Sequence, residues 1–320
     1  MQQNLPLFEP AIVPLKAQLG TKLKRLAQCN LFLGTSSWKY QDWLGSIYSR
    51  ERYSSRGRFS KARFERECLR EYAEVFPIVS GDFAFYQFPT VAFWKELFAQ
   101  VQPPFQFGFK APEDITVAAF PTHDRYGLRG GQANPLFLDS TAFSRQFVQP
   151  LREHLDFVGV IIFEFPASIS KTFTGPQFAR ALARFLRELP KGFRYAVEIR
   201  SPRLFGPEYL GSLREQGAAH VFNSWSHMPS IAEQFTHPDA FTADFTVCRA
   251  LTVPGRSYEE SVTMFKPYSS VREPNSEVRK ALRDLLVRSK RRGEPAYIFV
   301  NNRLEGFSPG TIAATIDGLA

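Results

Sequence analysis

The sequence has little of what builds redox frameworks, metal centres or nucleotide cradles. Its three cysteines, Cys29, Cys68 and Cys248, are scattered and odd in number. That gives neither a disulfide framework nor CxxC metal spacing, and they read as small reduced core residues. The five histidines are dispersed. Only His227 and His237 fall near one another, and Pro229 and Pro238 interrupt any i, i+4 ligating face, so no metal is expected. Gly34-Thr35-Ser36-Ser37 holds a single glycine and runs into Trp38, unlike a dinucleotide fingerprint or a P-loop, and the cofactor stays unknown. The longest apolar runs, such as Phe157 to Phe163, fall well short of the roughly 20 residues of a membrane span. The start Met-Gln-Gln-Asn-Leu-Pro lacks the charged-then-apolar order of a signal peptide. A cytoplasmic protein with no membrane partner is the expectation.

What is present is an ordinary globular composition, 44% hydrophobic and 22% charged, with a net charge of +9 that favours anionic partners without naming one. Residues 1–30, with Pro6, Pro10 and Pro14 before a basic amphipathic stretch from Lys16 to Ala27, read as an N-terminal extension. From Leu31 onward, runs rich in β-branched and aromatic residues recur: Leu31–Gly34, Pro77–Phe83, Phe105–Lys110, Val158–Glu164, Tyr195–Arg200, His220–Asn223, Phe245–Arg249 and Tyr297–Asn301. Between them apolar residues recur at three and four, as in Phe178, Leu182, Phe185, Leu186 and Leu189. Eight β/α units over residues 31–320 predict a single (β/α)8 TIM-like barrel.

Such a barrel carries its site at the C-terminal ends of the strands. Those ends hold Trp38, Asp82 with Tyr86, Lys110, Glu164, Glu198 with Arg200, Asn223 with Trp225, Arg249, and Asn301 with Asn302. Alternation sharpens this, because Ala196, Glu198 and Arg200 share one face of their strand, and a charged set belongs in the lumen rather than under apolar helices. By the same count Lys110 and Glu164 face inward. The expectation is a site for a small anionic or polyhydroxylated ligand. Lys110, Arg200 and Arg249 would hold negative charge, Asn301 and Asn302 would orient hydroxyl or carbonyl groups, and Trp38 and Tyr86 would be stacking walls. Glu198 would be the general base. The alternative is an ion-pair network that only fixes the strand ends.

Two further readings stay open. Glu164 and Glu198 on neighbouring strands resemble a glycosidase acid and base, although the nearby cations would depress both. The segment Tyr48 to Arg70 interleaves arginines with Tyr48, Tyr53, Phe59 and Phe64, a composition that suits nucleic-acid binding, which is not favoured. The long stretch Pro121 to Pro135, with His123, Arg125, Tyr126 and Arg129, suggests a lid or substrate clamp.

Six pieces in order carry a family resemblance: Gly34-Thr-Ser-Ser-Trp-Lys-Tyr-Gln-Asp-Trp43, Phe85-Tyr86-x-x-Pro89, Phe109-Lys-Ala-Pro112 with Ile115-Thr116, Phe163-Glu-Phe-Pro166, Tyr195-Ala-Val-Glu-Ile-Arg200, and Asn301-Asn-Arg-Leu-Glu-Gly306. From about Leu31 to the C-terminus the chain resembles the DUF72 (YecE-like) family. The resemblance implies a TIM-like barrel and no assigned reaction. Where that family usually reads Glu-Ile-Asn-Ser-Thr-Phe-Tyr, this chain has Ser80-Gly-Asp-Phe-Ala-Phe-Tyr86. The carboxylate is lost at Ser80, and Asp82 replaces an amide. Glu164 stands for the family's usual Gln, and Ser201 for its usual His.

Overall fold

A computed structural model of the chain describes residues 14–319. Eight parallel strands close into a barrel: β1 (Leu31–Thr35), β2 (Ile78–Gly81), β3 (Gln106–Lys110), β4 (Val158–Phe165), β5 (Tyr195–Ile199), β6 (Ala219–Asn223), β7 (Thr246–Ala250) and β8 (Ala296–Val300). Each pairs with the next in sequence, and β8 pairs with β1. Nearly every strand position is buried. That is why the strands are near-continuous apolar runs: a parallel barrel strand is covered by helices outside and side chains inside.

Alternation sorts the two faces. Leu33, Phe107, Phe109, Phe163, Val197 and Ile199 point outward into the core beneath the helices. Phe32, Ile78, Val160, Ile162, Ala196, Val221, Val247, Tyr297 and Phe299 point inward and fill the lumen. Phe32 stacks on Tyr297 at 5.4 Å. Gly108 makes room for this filling, since a Cβ there would lie 2.3 Å from the Phe299 ring.

Around the barrel stand α1 (Leu15–Ala27), α2 (Lys61–Ala73), α3 (Val91–Phe98), α4 (Gly175–Glu188), α5 (Pro207–Gln216), α6 (Ile231–Thr236), α7 (Ser276–Arg292) and α8 (Ser308–Ile316), with a further helix over Tyr258–Phe265 and shorter turns between. The starts follow local chemistry: Thr174 and Gln177 form a capping box on α4, and Asn275 caps α7. Gly293, at φ 66°, closes α7 in the left-handed conformation glycine tolerates. The periodic residues Phe178, Leu182, Phe185 and Leu186 are the buried face of α4, as their spacing predicts.

Of the expected extension, residues 1–13 lie outside the described residues. The remainder forms α1, whose Leu19, Leu23 and Leu26 are buried and whose Lys16 reaches Glu71 and Glu74 at 2.8 Å. Cys68 and Cys248 are buried, as core residues should be, whereas Cys29 is exposed.

Candidate functional site

The strand alternation places the charged residues where a site can form. On β3, β4, β5 and β7 the inward positions end in Lys110, Glu164, Glu198 and Arg249, all at most 4% exposed. Glu164 and Glu198 are directly paired across β4 and β5, an arrangement that like charges tolerate only with cations between them. Arg249 supplies one: its Nη1 donates to both, at 2.6 Å from Glu164 and 2.5 Å from Glu198. Arg200 supplies another, with Nη2 2.7 Å from Glu164 and Nε 3.1 Å from Glu198. Lys110 Nζ bridges Glu164 at 2.9 Å and Asp82 at 3.0 Å. Lys110, Arg200 and Arg249 therefore face Asp82, Glu164 and Glu198, three charges against three.

Burial pushes the Glu164 carboxyl up, but the Arg200, Lys110 and Arg249 cations outweigh it and hold it well below the ordinary carboxylate range. Glu164 is a fixed anion. Only the upper edge of the network reaches solvent. The Asp82 side chain is 49% exposed, Arg200 lies 3.8 Å above the Trp225 ring, and Lys110 sits 3.7 Å over Phe85. Beside them Tyr86 is 52% exposed and carries Arg125 stacked at 4.6 Å.

The other predicted residues have local duties. Asn223 donates to the Ile199 and Val221 carbonyls and accepts from Trp225 N–H. Asn301 accepts from Arg303 N–H, and Asn302 accepts from the Ser308 N–H and hydroxyl at 2.8 Å. Trp38 is buried, edge-on to Phe83 at 5.6 Å. His123 is exposed and accepts from Arg125 N–H, capping a turn. Its loop is folded onto the barrel rather than open. Arg125 and Tyr126 both bind the Glu113 carboxylate at 2.8 Å, and Arg129 packs over Phe120.

Glu113 went unnoticed in the sequence. It is a buried carboxylate three residues past Lys110, and burial raises its carboxyl against the opposing Tyr126 and Arg125 contacts. Its signal was a carboxylate just beyond a strand's C-terminal end, behind Pro112.

Several buried polar atoms at this end have no partner among the described residues: the Ser36 and Ser80 hydroxyls, Arg249 Nε and Asn302 Nδ2. Ser36, Ser80 and Arg249 share the inward parity of β1, β2 and β7. Ser80 is where the resembling family carries its carboxylate. Asp82, two residues on, brings a carboxylate to Lys110 instead.

No group of three or more His, Cys, Asp or Glu residues is placed to hold a metal among the described residues, and no helix among them is long and apolar enough to cross a membrane. The family model described as protein of unknown function DUF72 matches residues 32–320. The chain belongs to the DUF72 family. No curated protein matches it. Two solved DUF72 family proteins share its fold. One from Thermotoga maritima has 21% identity and a TM-score of 0.62, covering 90% of this chain and 98% of that one. One from Enterococcus faecalis has 14% identity and a TM-score of 0.56, covering 90% and 97%. At these identities the likeness speaks for the DUF72 barrel alone.

Proposed function

We propose that the barrel mouth binds a small polar ligand, anionic or polyhydroxylated, between the Asp82–Lys110 pair and the Tyr86 and Trp225 rings. The observation that carries this reading is the six-charge network at the C-terminal end of the strands. A buried ion network contributes little to stability, and apolar residues of similar volume often serve the fold equally well. Its place at the end of the barrel where (β/α)8 proteins do their chemistry points to recognition.

The network also divides the roles. Glu198 is fully buried and both its oxygens are occupied by arginines, so it anchors Arg200 and Arg249. Asp82 stands at the solvent edge within a ligand's reach, with the buried Lys110 directly behind it at 3.0 Å. Ser80, Ser36 and Arg249 Nε offer unmet donors below them. The hydrolase reading, with Glu164 and Glu198 as acid and base, loses its proton donor because Glu164 is held ionised.

The nucleic-acid reading of Tyr48–Arg70 loses its stacking surface. Tyr48, Tyr53 and Phe64 are buried against one another, and Arg52, Arg63 and Arg66 are paired with glutamates.

Calorimetric titration of sugar phosphates, polyols, carboxylates and nucleotides tests the proposal. A ligand bound by the wild type should lose at least tenfold in affinity on Asp82→Asn and on Tyr86→Ala. Unchanged affinity in both variants would place the site elsewhere.

A further inference from the structure

We infer that the outward face of α4, with the grooves on either side of it, is a binding surface for a nucleic-acid backbone. Arg180, Arg184 and Arg187 are spaced by four and three residues and are all exposed. They stand in one row opposite the buried Phe178, Leu182, Phe185 and Leu186. At a rise of about 1.5 Å per residue, the row from Arg180 to Arg187 runs along roughly 10 Å of the helix.

The row continues at both ends. At its N-terminal end a groove of 370 Å³ lined by Gln177, Arg180 and Arg184 meets another of 280 Å³ lined by Gln177, Lys171 and Arg203. At its C-terminal end a groove of 650 Å³ joins Glu188 to Arg145 and Arg152.

None of these seven cations forms an ion pair with any carboxylate among the described residues. The acid within the strip, Glu188, is occupied by the Ser140 hydroxyl at 2.5 Å, and Glu153 and Asp156 of the neighbouring turn pair with none of them. Some surface arginines find carboxylates, as Arg63 finds Glu67, Arg214 finds Asp239 and Arg279 finds Glu305, and others such as Arg56 and Arg58 find none among the described residues; this strip is set apart by the seven unpaired cations gathered along one helix and its grooves. An uncompensated row of like charges repels itself, and a polyanion relieves that repulsion by releasing its condensed counterions.

The chemistry favours phosphodiester over lipid. Six of the seven cations are guanidiniums, whose fork fits two phosphate oxygens. The apolar face of α4 is spent on the barrel, which leaves no large apolar side chain of the helix to enter a bilayer. With no exposed aromatic in the row, the surface reads backbone rather than bases, so little sequence preference is expected.

Fluorescence anisotropy with single- and double-stranded DNA of about 20 nucleotides, across a salt series, tests this. Wild type should bind, with a steep log–log salt slope. The triple variant Arg180→Ala, Arg184→Ala, Arg187→Ala should bind at least tenfold more weakly, with the slope reduced by about 2–3 at 0.7–0.9 per lost phosphate contact. The charge-preserving triple Arg→Lys variant should keep the slope, which separates loss of charge from loss of fold. Arg56→Ala with Arg58→Ala, in the hairpin before α2, should change nothing. The inference is overturned if the alanine triple variant keeps the wild-type slope, if the hairpin variant loses binding instead, or if wild type binds neither oligonucleotide at low salt. Capture by vesicles of mixed phosphatidylglycerol and phosphatidylcholine without oligonucleotide binding would assign the face to lipid and overturn it too.

Discussion

In the lower lumen the inward residues are Phe32, Phe245 and Tyr297, with the Phe32 and Tyr297 rings stacked and Phe245 edge-on. Towards the C-terminal end of the barrel, inward positions of β3, β4, β5 and β7 hold Lys110, Glu164, Glu198 and Arg249. Backbone and parity are common to the two layers, but their energetics differ. The apolar layer stabilises in proportion to the area it hides from water. The charged layer must first offset the desolvation of six ionic groups, and it persists only because each has a partner at 2.5–3.1 Å. On the proposed reading, one layer belongs to the fold and the other to the site.

Substitutions that treat the layers differently sharpen this contrast. The largest effect is expected from Arg249→Met, which removes the cation shared by Glu164 and Glu198 and leaves two facing carboxylates with Arg200 and Lys110. Stability should fall by about 3–5 kcal/mol in urea unfolding. Phe299→Ala in the apolar layer should cost about 3 kcal/mol through the cavity it opens. Unlike the first, it should leave ligand affinity at the mouth unchanged. A loss of affinity there would show that the layers are coupled.

A titratable group outside the lumen supplies a control. His220, on the outward face of β6, is buried between Tyr209 and Gln234, and burial lowers it from 6.5 to about 4. Its folded pKa is depressed, so between those values the unfolded chain takes up a proton that the folded one refuses. Stability therefore falls as pH drops through that window, by about 3 kcal/mol at roughly 1.4 kcal/mol per unit. Urea midpoints between about pH 7 and 4 should show this limb, and His220→Gln should flatten it. Glu164, whose folded pKa is also depressed, adds its own loss as pH falls below its ordinary value of 4.5, at the acid end of that range.

The fold was legible because its signal is repeated. All eight strand runs fall within a few residues of the observed strands, and parity correctly sent Glu198, Lys110 and Glu164 inward. Where one run overshot, at Phe83, Asp82 opens a 3-10 turn and ends β2 at Gly81. The duties of the asparagines were not legible. Asn223, Asn301 and Asn302 end strands as ligand-binding residues would, but each binds backbone or a neighbouring helix. Composition alone cannot separate a turn fastener from a site. Glu113 was hidden for the converse reason, because its partners Arg125 and Tyr126 come from a loop whose path no periodicity encodes. Arginine content misled as well: in the dense segment before Arg70 the aromatic residues Tyr48, Tyr53 and Phe64 are buried and Arg52, Arg63 and Arg66 are paired, whereas no arginine of the row on α4 is.

The smallest expected effect on stability belongs to the substitution that decides the central claim, Lys110→Met. Glu164 keeps Arg200 and Arg249, and Asp82, half exposed, can turn to water. Stability in urea unfolding should therefore fall by about 2 kcal/mol, less than for Arg249→Met, because each carboxylate keeps another partner or water. Calorimetry on the same sample should show that any ligand the wild type binds at the mouth has lost at least tenfold in affinity. A variant that binds as the wild type does, or one that unfolds while binding stays intact up to its melting point, would make the charged layer a structural brace and contradict the account.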